Sequence, residues 1–144
     1  MKNFKLIAVF VLSLLIFSAC ATSADMKADI FSTDKSLKDT DEIIRLLTNQ
    51  IIGDLQIIDV RTPSEFHAGC LNGAKNIDFE APDFAIKIAG MDKNADYLLY
   101  CRLGRRSALA VAKLRDMGFK NIIELKGGFN AWTAAGEPIS QSCN

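Results

Sequence analysis

Residues 96–114 read DYLLYCRLGRRSALAVAKL, and few folds accept such a stretch. An apolar run of strand length stops at a cysteine. A short loop with three arginines and a glycine follows, and an amphipathic helix begins at once. The strand, read as ADYLLY, is apolar enough to be buried on both faces, which is the mark of a parallel sheet covered by helices. In the helix RRSALAVAKLRDMGF, Ala110, Val111, Leu114 and Met117 form one stripe, with Lys113, Arg115 and Asp116 off it. Gly118 followed by Phe119 fits a left-handed stop with an apolar contact behind it.

The rest of the chain alternates in the same way from about Leu37. DTDEIIRLLTNQI places Ile43, Ile44, Leu46 and Leu47 at helical spacing, with Asp39 or Thr40 as N-cap. LQIIDV reads as a buried strand. TPSEFHAG reads as a short helix, with Thr62 as cap, Pro63 at the first helical position and Glu65 completing a capping box. AKNIDF reads as a strand and APDFAIKIAGM as a helix. NIIEL is a last strand, and GGFNAWTAAG a closing helix with Trp132 packed inward. Strands alternating with helices predict an α/β domain: a central, mostly parallel sheet with helices on both faces. The 144 residues suffice for one domain, and the 49% apolar and 24% charged content is that of an ordinary globular chain. The net charge of zero argues against a nucleic-acid partner. The single His, His67, gives no basis for a His-rich metal site, and no metal or cofactor is expected.

The N-terminus stands apart from the fold. Lys2 and Lys5 precede an uncharged run from Leu6 to Phe17. That run is too short for a comfortable membrane span and suits a signal-peptide apolar region. It ends in FSAC, which resembles the lipobox of bacterial lipoproteins, with Phe17 where Leu is usual. The resemblance implies that residues 1–19 are removed and that Cys20 is lipidated and anchors the chain to a membrane. Residues 20–36 are then a polar tether, residues 37–140 the domain and residues 141–144 a tail. Simple cleavage after Ala21 or Ala24 would leave a soluble periplasmic protein, and an uncleaved anchor is the third case. Lipidated, the protein would face the periplasm from the cell envelope. Ala21 lacks the retention character of Asp, which favours the outer membrane over the inner.

Of the four cysteines, Cys20 is consumed or removed under either cleavage. Cys70, Cys101 and Cys143 remain, an odd number, so at least one is free or pairs between molecules. An unpaired thiol in an oxidising compartment is a liability unless it has a use. Cys101 lies where a parallel strand ends and a helix begins, which is where α/β sheets bind ligands. Backbone N–H groups from Arg102 to Ser107 can curl around its sulfur, backed by the helix N-terminus. Arg102, Arg105 and Arg106 add cationic side chains, and Gly104 permits the tight turn. This setting favours thiolate over thiol without a general base.

At this point CRLGRRS resembles the active-site loop of the single-domain rhodaneses, which are sulfurtransferases. DVRTPSEF (Asp59 to Phe66), GCLNGAKNID (Gly69 to Asp78) and GGFNAW (Gly127 to Trp132) resemble further motifs of the family, in order. The resemblance implies a rhodanese-like fold and a two-step reaction. Cys101 would take the outer sulfur of a small anionic donor such as thiosulfate, becoming a persulfide, and pass it to cyanide or a thiol. Cys101 and Arg106 would be catalytic, with Arg106 closing the loop. Arg102, Leu103, Gly104, Arg105 and Ser107 would form the anion-binding loop, with Leu103 making part of its rim apolar. A persulfide carrier serving a partner protein is the alternative. The related phosphatases use Cys-x5-Arg, whereas Cys101 to Arg106 is Cys-x4-Arg.

Cys70 stands where the family usually has His. It is read as a small buried filler, or as a resolving thiol that forms a disulfide with Cys101. Cys143, near the C-terminus, is read as incidental or as an intermolecular partner. Asp59 and Arg61 are expected to tie loops together by buried charged hydrogen bonds, and His67 to lie on an exposed short helix without a catalytic role.

Overall fold

The computed structural model describes residues 22–32 and 36–143. In chain order the elements are α1 (Ser23–Ile30), β1 (Leu37–Lys38), α2 (Thr40–Thr48), β2 (Gln56–Asp59), α3 (Pro63–His67), β3 (Lys75–Asn76), α4 (Phe84–Ala89), β4 (Asp96–Tyr100), α5 (Arg105–Asp116), β5 (Asn121–Leu125) and α6 (Gly128–Ala134). The strands pair in the order β1-β5-β4-β2-β3, and every pair is parallel. This is the parallel α/β sheet, covered by helices, that the alternating pattern predicts.

β4 is central and all five of its residues are buried, because helices cover both of its faces. Alternation along the strands divides the core in two. Leu98, Tyr100, Ile123 and Leu125 pack with Ile43 and Leu46 of α2 and Trp132 of α6. Tyr97, Leu99 and Ile122 face the other way, onto Phe84 and Ile88 of α4 and Ala110, Val111 and Leu114 of α5.

Local signals set the element ends. Asp39 caps α2 through Glu42 N–H at 3.0 Å. Thr62 and Glu65 form the expected reciprocal box on α3, with Pro63 in the first turn. Gly118, at φ +91°, ends α5. Its N–H donates to Arg115 and that of Phe119 to Leu114, which satisfies two carbonyls left free at the helix end.

Two regions differ from the expectation. The stretch read as a tether contains α1, held by a capping box between Thr22 and Asp25. Phe31, which follows it, is buried in the core, and Lys27 pairs with Asp96 at 2.6 Å. The segment has no apolar helical stripe, so periodicity could not reveal it.

The second correction concerns the cysteines. Cys70 is disulfide-bonded to Cys143, so it is neither a filler nor a resolving partner of Cys101, and Cys143 is not incidental. Beside the disulfide, Cys70 and Ser140 exchange backbone hydrogen bonds of 3.0 and 2.8 Å. The tail is thereby stapled to the loop after α3. Connectivity across a separation of 73 residues has no signature in sequence spacing.

Candidate active site

The chain moves outward from β2 to β3, then crosses to β4 and moves outward the other way to β5. The order therefore reverses between β2 and β4, and a crevice opens beyond their carboxyl ends. Val60 N–H donates to Tyr100 O at 2.9 Å across this point. Cys101 is the next residue.

The floor of the crevice is rigid. Asp59 is fully buried and accepts from Arg61, whose Nε lies 3.0 and 2.9 Å from the two carboxylate oxygens and whose Nη2 lies 2.6 Å from Oδ2. The same Nη2 donates to Gly69 O at 2.7 Å, and the guanidinium stacks 4.0 Å from the Phe129 ring centroid. Asp59 and Arg61 thus tie loops together, as the sequence suggests.

The loop after Cys101 is clamped from α6. Phe129 N–H donates to Cys101 O at 2.8 Å and Asn130 N–H to Arg102 O at 3.1 Å. Gly128 sits so close beneath that a Cβ there would collide with the Cys101 carbonyl. Gly104, at φ +97°, turns the chain into α5 and aims its own N–H at the sulfur, 3.1 Å away. The Ser107 hydroxyl lies 3.5 Å from the same sulfur. Burial is the largest single influence on Cys101 and disfavours its thiolate. The Ser107 hydroxyl and the amides of Ser107, Leu103 and Gly104 oppose it, and together they bring the thiol below its ordinary value. The N-terminus of the twelve-residue α5 adds its dipole at the same place. His67 is exposed on α3, edge-on to Phe66.

Above the sulfur is a cavity of about 390 Å³. Arg102, Leu103, Arg105, Arg106 and Leu109 line one side, and Phe79 and Glu80 the other. The three arginines differ. Arg106 makes a two-pronged ion pair with Glu65, at 2.8 and 3.0 Å, and reaches Glu80 at 3.4 Å. It thereby ties α5 to α3. That pair is the main reason the Glu65 carboxyl titrates at about 2. Arg102 and Arg105 are exposed and make no ion pair among the described residues, so their charge is available to a ligand. Leu103 and Leu109 are each 60% exposed and form an apolar lip.

Comparison with known proteins agrees with this geometry. The model of the rhodanese-like domain matches residues 39–135. The chain belongs to the rhodanese-like family. A sulfurtransferase of Allochromatium vinosum is 34% identical over 86 residues, which span 60% of this chain and 78% of that protein. The thiosulfate sulfurtransferase GlpE of Pseudomonas aeruginosa is 35% identical over 78 residues, 54% of this chain and 68% of that one. Among solved structures, a rhodanese-like domain from Anabaena superposes with a TM-score of 0.65 at 29% identity, covering 73% of this chain and 78% of that domain.

The structure brings Cys101, Gly104, Arg106 and Ser107 of the rhodanese-like loop together at one sulfur-centred site, with Arg102, Leu103 and Arg105 at its mouth. Cys20 lies outside the described residues. Two functional contacts escaped sequence reasoning. Glu65 looked complete as a capping residue, and nothing local shows that it also holds Arg106. Nothing in NIIEL singles out Glu124, yet its carboxyl group lies 2.7 Å from the Ser107 hydroxyl.

Proposed function

We propose that the protein is a sulfurtransferase that moves sulfane sulfur from a small anionic donor such as thiosulfate to a thiol or cyanide. The observation that carries this reading is the Cys101 sulfur, cradled by amides and a hydroxyl beneath an open cavity with two arginines that make no ion pair among the described residues. The Cys101 thiolate attacks the outer sulfur of thiosulfate. The new S–S bond forms as the bond to the sulfite group breaks, and sulfite leaves with the electron pair. The persulfide on Cys101 keeps its charge, which the loop amides stabilise. Cyanide or a thiolate then attacks the terminal sulfur, and Cys101 leaves as thiolate. No net oxidation or reduction of the enzyme occurs. Arg102 and Arg105 attract the donor, and the names of the relatives point to the same chemistry.

Thiocyanate formation from thiosulfate and cyanide tests the reading: wild type turns over and Cys101→Ser falls to background. A persulfide carrier remains the second reading, favoured by the exposed Leu103 and Leu109 lip, which suits a protein surface better than a small anion. A carrier would load sulfur yet release it slowly until a partner is added.

We also place the protein in the bacterial envelope, facing the periplasm and anchored by lipid on Cys20. The Cys70–Cys143 disulfide supports an oxidising compartment. Metabolic labelling with a radioactive fatty acid should mark wild type and not Cys20→Ala. A labelled Cys20→Ala, or an unlabelled wild type, contradicts the anchor.

A further inference from the structure

Glu124 is buried on β5, with its side chain on the α5 side of the sheet against Ser107. Its Oε1 lies 2.7 Å from Ser107 Oγ, which lies 3.5 Å from Cys101 Sγ and 3.0 Å from Gly104 O. The hydroxyl has one hydrogen and three acceptors within reach. When Glu124 is ionised, the short charge-assisted bond takes that hydrogen, and the sulfur loses it. When Glu124 carries a proton, the carboxyl donates to Ser107 Oγ instead, and the hydroxyl hydrogen is free to turn to the sulfur.

We propose that Glu124 is a positioning residue: through Ser107, the gain or loss of its proton sets how firmly Cys101 is held as a thiolate. This rests on the nucleophilic role of Cys101 proposed above, though not on the identity of any sulfur donor. Burial pushes the Glu124 carboxyl above the ordinary range, against the opposing pull of Ser107 and Arg115. The other groups around it leave this balance simple. Arg115 on α5 is the cation whose field reaches Glu124, and its Nη2 is already engaged with Ser36 Oγ at 2.6 Å. The register partners on the flanking strands, Leu99 on β4 and Leu37 on β1, carry no charge. Lys38, the next residue of β1, falls on the opposite face and pairs with Glu42 at 2.8 Å. Among the described residues, Cys101 is the ionisable group joined to Glu124 through Ser107. A thiolate and a carboxylate joined through one hydroxyl disfavour each other, so the two titrations are linked. The Cys101 proton leaves to solvent through the open cavity. In the transfer step, Ser107 then donates to Sγ as that atom regains its charge.

The test uses the full chain with its disulfide intact and no sulfur donor present, so its outcome is separate from that of the sulfurtransferase reading. The alkylation rate at Cys101 by iodoacetamide, read by peptide mass, is followed against pH. Glu124→Gln keeps a donor on Ser107 but cannot ionise. It should lower the thiolate midpoint by about one pH unit relative to wild type. Ser107→Ala should raise the midpoint, and adding Glu124→Gln to it should restore less than half of the loss. A Glu124→Gln profile that superposes on wild type overturns the proposal. Carbon NMR of wild type labelled at Glu carboxyls needs no variant. Glu124 should titrate above the other glutamates and shift downward once Cys101 is alkylated to a neutral thioether. An ordinary Glu124 titration, indifferent to alkylation, also overturns it.

Discussion

Arg102, Arg105 and Arg106 are three chemically identical side chains within five residues, and the structure gives them two different tasks. Arg106 is paired with Glu65 and Glu80, which ties α5 to α3, while it still lines the cavity above the sulfur. Arg102 and Arg105 keep their charge at the cavity mouth. Each exposed charge contributes at most about 1 kcal/mol to binding an anion. Arg102→Ala and Arg105→Ala should therefore raise KM for thiosulfate about two- to five-fold each, with kcat nearly unchanged. Added salt should narrow the difference between wild type and variants. Steady-state kinetics at two ionic strengths check this, and a loss confined to kcat would contradict it. The sequence placed all three arginines on the loop. It could not separate their tasks, because the partner that distinguishes Arg106 lies 41 residues away on α3.

Among the elements, the link between α3 and α5 carries a pH signature. Glu65 titrates at about 2 in the folded chain, against an ordinary 4.5, chiefly because of Arg106. The folded state thus holds fewer protons than the unfolded one across that interval. The stabilisation is fully present above about pH 4.5 and is lost as pH falls toward 2. Glu65→Gln should flatten this part of the stability profile, measured as denaturant midpoints between pH 5 and pH 2. A variant with the same acid slope as wild type would assign the loss to other carboxylates. Elements with strong local signals were legible: the apolar YLLY of β4, the NIIEL of β5, the Thr62–Glu65 box and the Gly118 stop. Elements made by pairing alone were not. β1 has two residues, and only Lys75–Asn76 of the expected AKNIDF strand pair at the sheet edge. Partners, rather than propensity, decide such short segments.

At the scale of the whole molecule, the disulfide separates fold from chemistry. It closes a loop of 73 residues and pins the C-terminal tail beside Cys70, while Cys101 stays free in its own cradle. Cys70→Ser should cost roughly 2–5 kcal/mol of stability, visible as a lower thermal midpoint. The thiolate character of Cys101 should be unchanged, since the loop amides that hold it come from α5 and its approach. A parallel fall in Cys101 alkylation rate at temperatures where the variant remains folded would contradict this separation. With Cys20 set aside, counting cysteines left at least one thiol free or paired between molecules. Only the fold shows that the leftover thiol is Cys101, because it brings the tail back to the loop after α3.

The measurement that bears most directly on the central claim is the intact mass of the reduced and re-oxidised domain after brief treatment with thiosulfate, for wild type and Cys101→Ser. The account predicts that wild type gains the mass of one sulfur, lost again on adding cyanide, and that Cys101→Ser gains none. A wild type that gains no sulfur from thiosulfate, or a Cys101→Ser variant that gains as much, would contradict it.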